Sequence, residues 1–303
     1  NGNATNITIR GLGPDFNGYL LNGREQASTG DSRGVDLSVY PAELIGGATV
    51  YKTGDASLAA AGLAGTIDNK LVDPLAFGGR VVAGSYNKTK TGVGLDVTGS
   101  GKRYSLSYID QFMDRTLGVA IGYVHSEGNS SSLAGGSWGS DVSVTTTTGA
   151  KGTYNLPFAG GLSYETDVVT DKRDGLAAIL SYKPNKNFST QLDVYSATIK
   201  TGTKKNAIKG GTFGGAVTNA TVSGTTVTSG TFSMSPDSLI VYSENLFDDD
   251  KIDSVGWKSQ LKFGDGWTTS VDLNSNKAKR VEKDIEAYAG IQTADTQIGR
   301  AHV

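Results

Sequence analysis

From about Gly78 onward, apolar and polar side chains alternate with a period of two. In TLGVAIGYV, Leu117, Val119, Ile121 and Tyr123 share one parity, and Thr116, Gly118, Ala120 and Gly122 fill the other. FSTQLDVYSA sets Leu192 and Val194 against Gln191 and Asp193. VGWKSQLKF sets Val255, Trp257, Leu261 and Phe263 against Gly256, Lys258, Gln260 and Lys262, and WTTSVDLN sets Trp267, Val271 and Leu273 against Ser270, Asp272 and Asn274. Successive side chains of a strand point to opposite faces, so this alternation predicts strands. About seven are expected, near residues 79–87, 101–110, 116–125, 174–182, 187–199, 252–263 and 266–276.

The connections sharpen the reading. QFMDR, KPNKN and GDG are tight, whereas 88–100, 126–173 and 200–251 are long, the last two rich in Gly, Ser and Thr. In an up-and-down meander every second connection lies at the same end, so the tight turns gather at one end and the long loops at the other. Outer-membrane barrels have this asymmetry. Aromatic residues flank each tight turn: Tyr108 and Phe112, Tyr182 and Phe188, Phe263 and Trp267. Rings that are part apolar and part wet suit a membrane–water interface. A soluble β-sandwich also alternates, and strand pattern alone leaves both open.

Composition narrows the chemistry. With 28 basic and 30 acidic residues the net charge is −2, which gives no whole-chain argument for nucleic acid or an anionic surface. The absence of cysteine excludes disulfides and thiolate chemistry. No apolar run approaches the ~18 residues of a membrane helix. GLGPDFNG spaces its glycines wrongly for a phosphate loop, and GSGKR at 99–103 lacks the Ser or Thr that must follow the lysine. The two histidines, His125 and His302, support neither a catalytic triad nor a metal pair. DDDKID lacks the glycine and distal glutamate of a calcium loop. Nothing points to an enzyme, a metal or a cofactor.

Before Gly78 the pattern is mixed. ITIRG and ATVYK read as short strands, PAELIGG as one or two helical turns, and SLAAAGLAGTIDNKLV as a segment ending in a strand. Such a unit is too small and polar to hold a full core of its own.

ITIRGLGPDFNGYLLNGRE resembles the plug domain of TonB-dependent outer-membrane receptors. The likeness continues in order through SRGVDLSVYPAELIGGATVYKT and DASLAAAGLAGTIDNKLVDPL, over about 75 residues. GGRVVAGSYN then falls where the first barrel strand belongs, and SYIDQFMDRTLGVAIGYVHSE looks like the next hairpin. The resemblance implies a membrane all-β fold: about seven antiparallel strands of a 22-stranded transmembrane barrel, preceded by the C-terminal part of a small α/β plug. The implied divisions are 1–77 for the partial plug, 78–297 for barrel strands with long extracellular loops near 126–173 and 200–251, and 298–303 for a tail. That tail, IGRAHV, matches a translated sequencing-adapter oligonucleotide and is expected to be non-native. The TonB box and first plug strands would precede residue 1, and seven strands would leave sheet edges unpaired in lipid, so the chain reads as a fragment unable to insert and transport alone.

The family implies energy-coupled uptake of a ferric siderophore, cobalamin or glycan across the outer membrane of a Gram-negative cell. Its partners are TonB with the inner-membrane energising complex, outer-membrane lipid and the substrate, with no nucleic acid. Facing then follows from parity. Gln191, Asp193, Lys258, Gln260, Lys262, Asp272 and Asn274 should line the lumen, and Leu192, Val194, Trp257, Leu261, Val271 and Leu273 should meet lipid. NGREQASTGDSRG would face the outer vestibule, with Arg24, Gln26, Asp31 and Arg33 as substrate-contact candidates; the alternative for each is pairing with the barrel wall. A different function for the same strands is a secreted or surface-exposed Gly/Ser/Thr-rich β adhesin, which explains the polar loops but not the opening unit.

Overall fold

The computed structural model describes residues 7–30, 33–35, 40, 42–56, 58–59, 62–94, 97–210, 217–232 and 239–290. Two sheets account for almost all regular structure. The first is small: β1 (Asn17–Leu21), β2 (Arg24–Glu25), β3 (Ile45–Tyr51) and β4 (Gly65–Leu71), in the order β2-β1-β4-β3. β1 runs parallel to β4, and β3 runs antiparallel to it. Helical structure among the described residues is confined to short 3-10 turns, as at Pro14–Phe16, Ala42–Leu44 and Pro74–Ala76. ITIRG is not a strand where it is described: Ile9 makes only an isolated bridge to Leu12. PAELIGG gives one 3-10 turn and then the start of β3, because Gly46 and Gly47 join the strand.

The large sheet holds an antiparallel meander, β5 (Val81–Gly94), β6 (Val97–Phe112), β7 (Leu117–Thr146), β8 (Lys151–Tyr182), β9 (Phe188–Gly210), β12 (Leu239–Phe263) and β13 (Trp267–Gly290). A hairpin, β10 (Val217–Ser223) and β11 (Thr226–Phe232), joins it through parallel pairing of β10 with β7. Each expected strand is present, but most run far past their expected ends. Residues 126–146, 151–173, 200–210 and 239–251 are strand where the sequence suggested loop. Ser, Thr and Gly do not encode these extensions by hydrophobic alternation; the ladder of neighbouring strands holds them, as in the unbroken pairing of β9 with β12 from Phe188 to Gly210. The tight turns do share one end, and in GDG Gly264 and Gly266 take φ values of +54° and +94° that other residues adopt reluctantly.

Register fixes which side chains share a face. Asp193 lies opposite Gly256 and Ile179, and Ile179 opposite Ala120. That inner face meets the small sheet. Leu21, Tyr40, Leu44, Leu71 and Val72 pack there in one core with Ile109, Ala120, Ala177, Ile179, Tyr195, Ala197 and Ile252. Tyr40 stacks on Tyr195 with centroids 4.4 Å apart. Where the two units touch, the inner wall thus carries an apolar patch among polar residues, not the uniformly polar surface its flanking residues suggested: a dry contact needs side chains that pack rather than hydrate. Gly118 belongs to it, because a Cβ there would come within 2.9 Å of Leu75 in the connecting turn.

The outer face carries an apolar band beside the tight turns. It runs through Leu106 and Tyr108, Ile121 and Tyr123, Leu176 and Leu180, Leu192 and Val194, Val255 to Phe263, and Trp267 to Leu273. From Val255 to Phe263 the strand runs roughly 26 Å along its own axis, which a tilt of ~35–45° turns into roughly 20 Å of height, within the ~25 Å apolar girdle of a membrane barrel. No helix among the described residues is long and apolar enough to cross a membrane, which has no bearing on strands.

Candidate functional site

Leu21-Asn22-Gly23-Arg24 closes the β1–β2 hairpin. Asn22 and Gly23 have φ values of +53° and +81°, the left-handed pair that an Asn-Gly hairpin turn requires. The tip is fixed to β4. The Asn22 N–H donates to the Asn69 carbonyl at 2.8 Å, the Gly23 N–H to Asp68 Oδ1 at 2.8 Å, and the Leu71 N–H to Asn22 Oδ1 at 2.9 Å. Asp68 is buried and also holds the Lys70 ammonium.

This rigid tip aims Arg24 at the wall. Arg24 Nη1 donates to Asp193 Oδ1 and Oδ2 at 2.7 and 2.8 Å, and Nε donates to Asp272 Oδ1 at 2.6 Å. The Arg24 and Asp193 side chains are only 8% and 7% exposed, while Asp272 keeps 37%. Burial works against the guanidinium charge, but hydrogen bonds and Coulomb attraction from Asp193 and Asp272 outweigh it and raise the Arg24 pKa above its ordinary value. The slot exists because Gly256 stands opposite Asp193 on β12: a Cβ there would overlap the guanidinium. Gly256→Ala is therefore expected to expel Arg24, seen as new tryptic cleavage after Arg24 in the folded protein while the strands of the wall stay protected.

Beyond Arg24 the chain lines a cleft of about 490 Å³ against β13, formed by Glu25, Gln26, Ser28, Arg33, Asn274 and Asn276. Asn276 donates to the Glu25 carbonyl. Gln26 accepts from the Tyr40 hydroxyl at 3.0 Å and donates to the Arg24 carbonyl at 3.2 Å. The Arg33 N–H donates to Asp15 Oδ1 at 2.8 Å, and Arg33 is exposed. The substrate-contact candidates thus separate. Gln26 and Arg33 line the cleft. Arg24 is instead bound to the wall, because two carboxylates at hydrogen-bond distance neutralise it. Asp31 lies outside the described residues.

The inner face carries Gln191, Asp193, Lys258, Gln260, Lys262, Asp272 and Asn274, and the outer face carries Leu192, Val194, Trp257, Leu261, Val271 and Leu273. Farther from the tight turns, the inner face holds a second polar group. The Tyr242 hydroxyl donates to Glu286 at 3.0 Å and to Glu244, Lys205 meets Glu244 at 3.3 Å, and the Lys209 ammonium lies 4.1 Å from the Tyr242 ring centre. Sequence reading missed Tyr40, Asp68, Gly256 and Asn276. Only the Asn-Gly dipeptide, a hairpin signal that places Arg24 at a tip, could have led to them.

Residues 1–66 match the TonB-dependent receptor plug domain. A comparison with curated protein sequences gave no match. Among solved structures, the siderophore receptor PirA from Acinetobacter baumannii aligns at 10% identity and a TM-score of 0.36, over 94% of this chain and 52% of that one. A mutant of the ferric enterobactin receptor PfeA from Pseudomonas aeruginosa aligns at 13% identity and 0.31, over 93% and 50%. The FrpB iron transporter from Neisseria meningitidis aligns at 10% identity and 0.27, over 94% and 64%. Superpositions at these scores are too loose to add weight, and the chain spans about half the length of the first two. The residues that build the Arg24 hairpin and most of the small sheet thus lie within the stretch that matches the TonB-dependent receptor plug domain, joined here to an antiparallel meander with an apolar outer band.

Proposed function

We propose that this chain is part of a TonB-dependent outer-membrane receptor that takes up a scarce substrate, a ferric siderophore, cobalamin or a glycan, by energy-coupled rearrangement of its plug. Residues 1–77 act as plug and residues 78–297 as wall, with the inner face toward the lumen and the outer face toward lipid. The observation that carries this reading is the Arg24 hairpin bonded to Asp193 and Asp272. Arg24 and Asp193 form a buried, bidentate pair that fixes the hairpin to the wall, and moving the plug must break it. Work supplied from the periplasm by TonB and its inner-membrane complex would be needed to dislodge it.

Substrate would enter from the side away from the tight turns and meet the cleft at Gln26 and Arg33. In cells expressing the full-length protein, collapse of the proton-motive force should abolish uptake. Gln26→Ala together with Arg33→Ala should weaken substrate binding about tenfold (~1.4 kcal/mol) at unchanged receptor abundance. Uptake that persists without the proton-motive force, or surface adhesion with no uptake of any of the three substrate classes, would contradict the proposal.

A further inference from the structure

Away from the tight turns, the outer face is first charged and then apolar again. One rung beyond the band pairs Glu127, Lys172, Lys200 and Asp249 across β7, β8, β9 and β12. The rungs that start at Leu133, Gly135 and Ser137 of β7 and cross the same strands carry no charged residue on this face. At those levels the charges lie on the inner face, as Glu165, Lys209, Glu244 and Glu286. Leu162, Tyr164, Ile208, Leu239 and Val241 stand on the outer face instead, each between 42% and 60% exposed. Together they show roughly 500 Å² of apolar surface, an extent at which an exposed patch is often functional. Four of them edge a cleft of about 600 Å³ with Gly135 and Gly210.

Lipid does not cover this patch. Gly135 lies 12 residues beyond Tyr123, roughly 40 Å along the strand, which a tilt of ~35–45° turns into roughly 30 Å of height. That is past the apolar band and past the charged rung. The same strands carry the band and the patch, so every copy anchored by the one holds the other at one height, upright and facing sideways. Two copies related by a two-fold axis along the membrane normal therefore bring patch to patch. Such an interface sets each surface against itself, and a patch without charge can do so without repulsion. The area suffices: two facing patches bury roughly 1,000 Å² in total, where specific interfaces begin. Confinement to one membrane raises the effective concentration of the copies and strengthens a contact of that size.

We propose that this patch is where two copies of the protein meet, side by side about a two-fold axis; the proposal rests on the receptor reading, which sets the strands upright in lipid. The test uses the full-length protein. In intact cells, Ile208→Cys treated with a short bis-maleimide should be recovered mainly as a dimer of two identical chains. Lys209→Cys, one residue away on the inner face, should not crosslink. In liposomes, association is read as energy transfer between labelled copies. I208E/V241E sets like charges against each other and should weaken association roughly a hundredfold. Both positions are half exposed, so this variant should still migrate as a heat-modifiable barrel. Tyr164→Ser alone should lower association severalfold, which keeps the test decisive even if the double variant folds poorly. Wild type that stays monomeric, association unchanged in both variants, or Ile208→Cys crosslinked only to a different protein would overturn the proposal. A folded, heat-modifiable barrel that stays monomeric defeats this inference alone; failure to form a barrel defeats the reading beneath it as well.

Discussion

Arg24→Met should loosen the plug more than any other single change in its sheet. The substitution keeps most of the side-chain volume but leaves Asp193, 7% exposed, without its bidentate partner. An uncompensated buried carboxylate costs about 3–5 kcal/mol. Local opening of β1 and β2 against the wall should then grow by two to three orders of magnitude, read as faster amide hydrogen exchange in Leu20, Leu21 and Glu25. Arg24→Lys should fall between, because an ammonium keeps the charge but cannot fork to both carboxylates. Adding Asp193→Leu to Arg24→Met should recover much of the protection, since an apolar pair removes the orphaned charge. Exchange rates that do not change in Arg24→Met would mean that the hairpin is held by packing around Leu21 and Tyr40 instead.

The second large effect concerns the outer face. Val271→Arg places a cation in the apolar band, beside Leu273 and opposite Ser259. In lipid that costs about 2–4 kcal/mol near mid-membrane and less toward the interface. Folded barrel recovered from membranes should drop severalfold. The matched inner-face control is Gln260→Arg. Asp272→Arg looks equivalent by parity alone, but Asp272 receives Arg24 at 2.6 Å, so reversing its charge would also repel the plug. Equal yields for Val271→Arg and Gln260→Arg would contradict the assigned facing.

The strands were legible because alternation is a local property of each segment. In β9, β12 and β13, Leu192, Trp257 and Leu273 differ sharply in polarity from Asp193, Lys258 and Asp272, and parity alone sets them on opposite faces. The long extensions were illegible for the opposite reason. SSSLAGGSWGS and the segment around Asp249 lack two-sided contrast, and only pairing with neighbouring strands makes them strand. The apolar inner wall hid in the same way, since Gly118 and Ala120 are small rather than polar and read as fillers. The Arg24 site needed two facts that no local window holds. The Asn-Gly turn sets the direction of the tip, and Gly256, 232 residues beyond Arg24 in sequence, leaves the slot that receives it. Arg24 could be named as important from its loop, but its partner could be named only from the fold.

The most direct test of the central claim is a cysteine scan along β12. The chain has no cysteine, so each variant carries a single label. Spin labels at 255 to 262 in the full-length protein, reconstituted in lipid, should alternate. Positions 255, 257, 259 and 261 should be accessible to lipid-dissolved oxygen, and 258, 260 and 262 to a water-soluble relaxant or shielded by the plug; 256 is left out, because any side chain there displaces Arg24. A period of two in phase with these positions supports a wall strand between lipid and lumen. Uniform accessibility to the water-soluble agent, or alternation of the opposite phase, would contradict it.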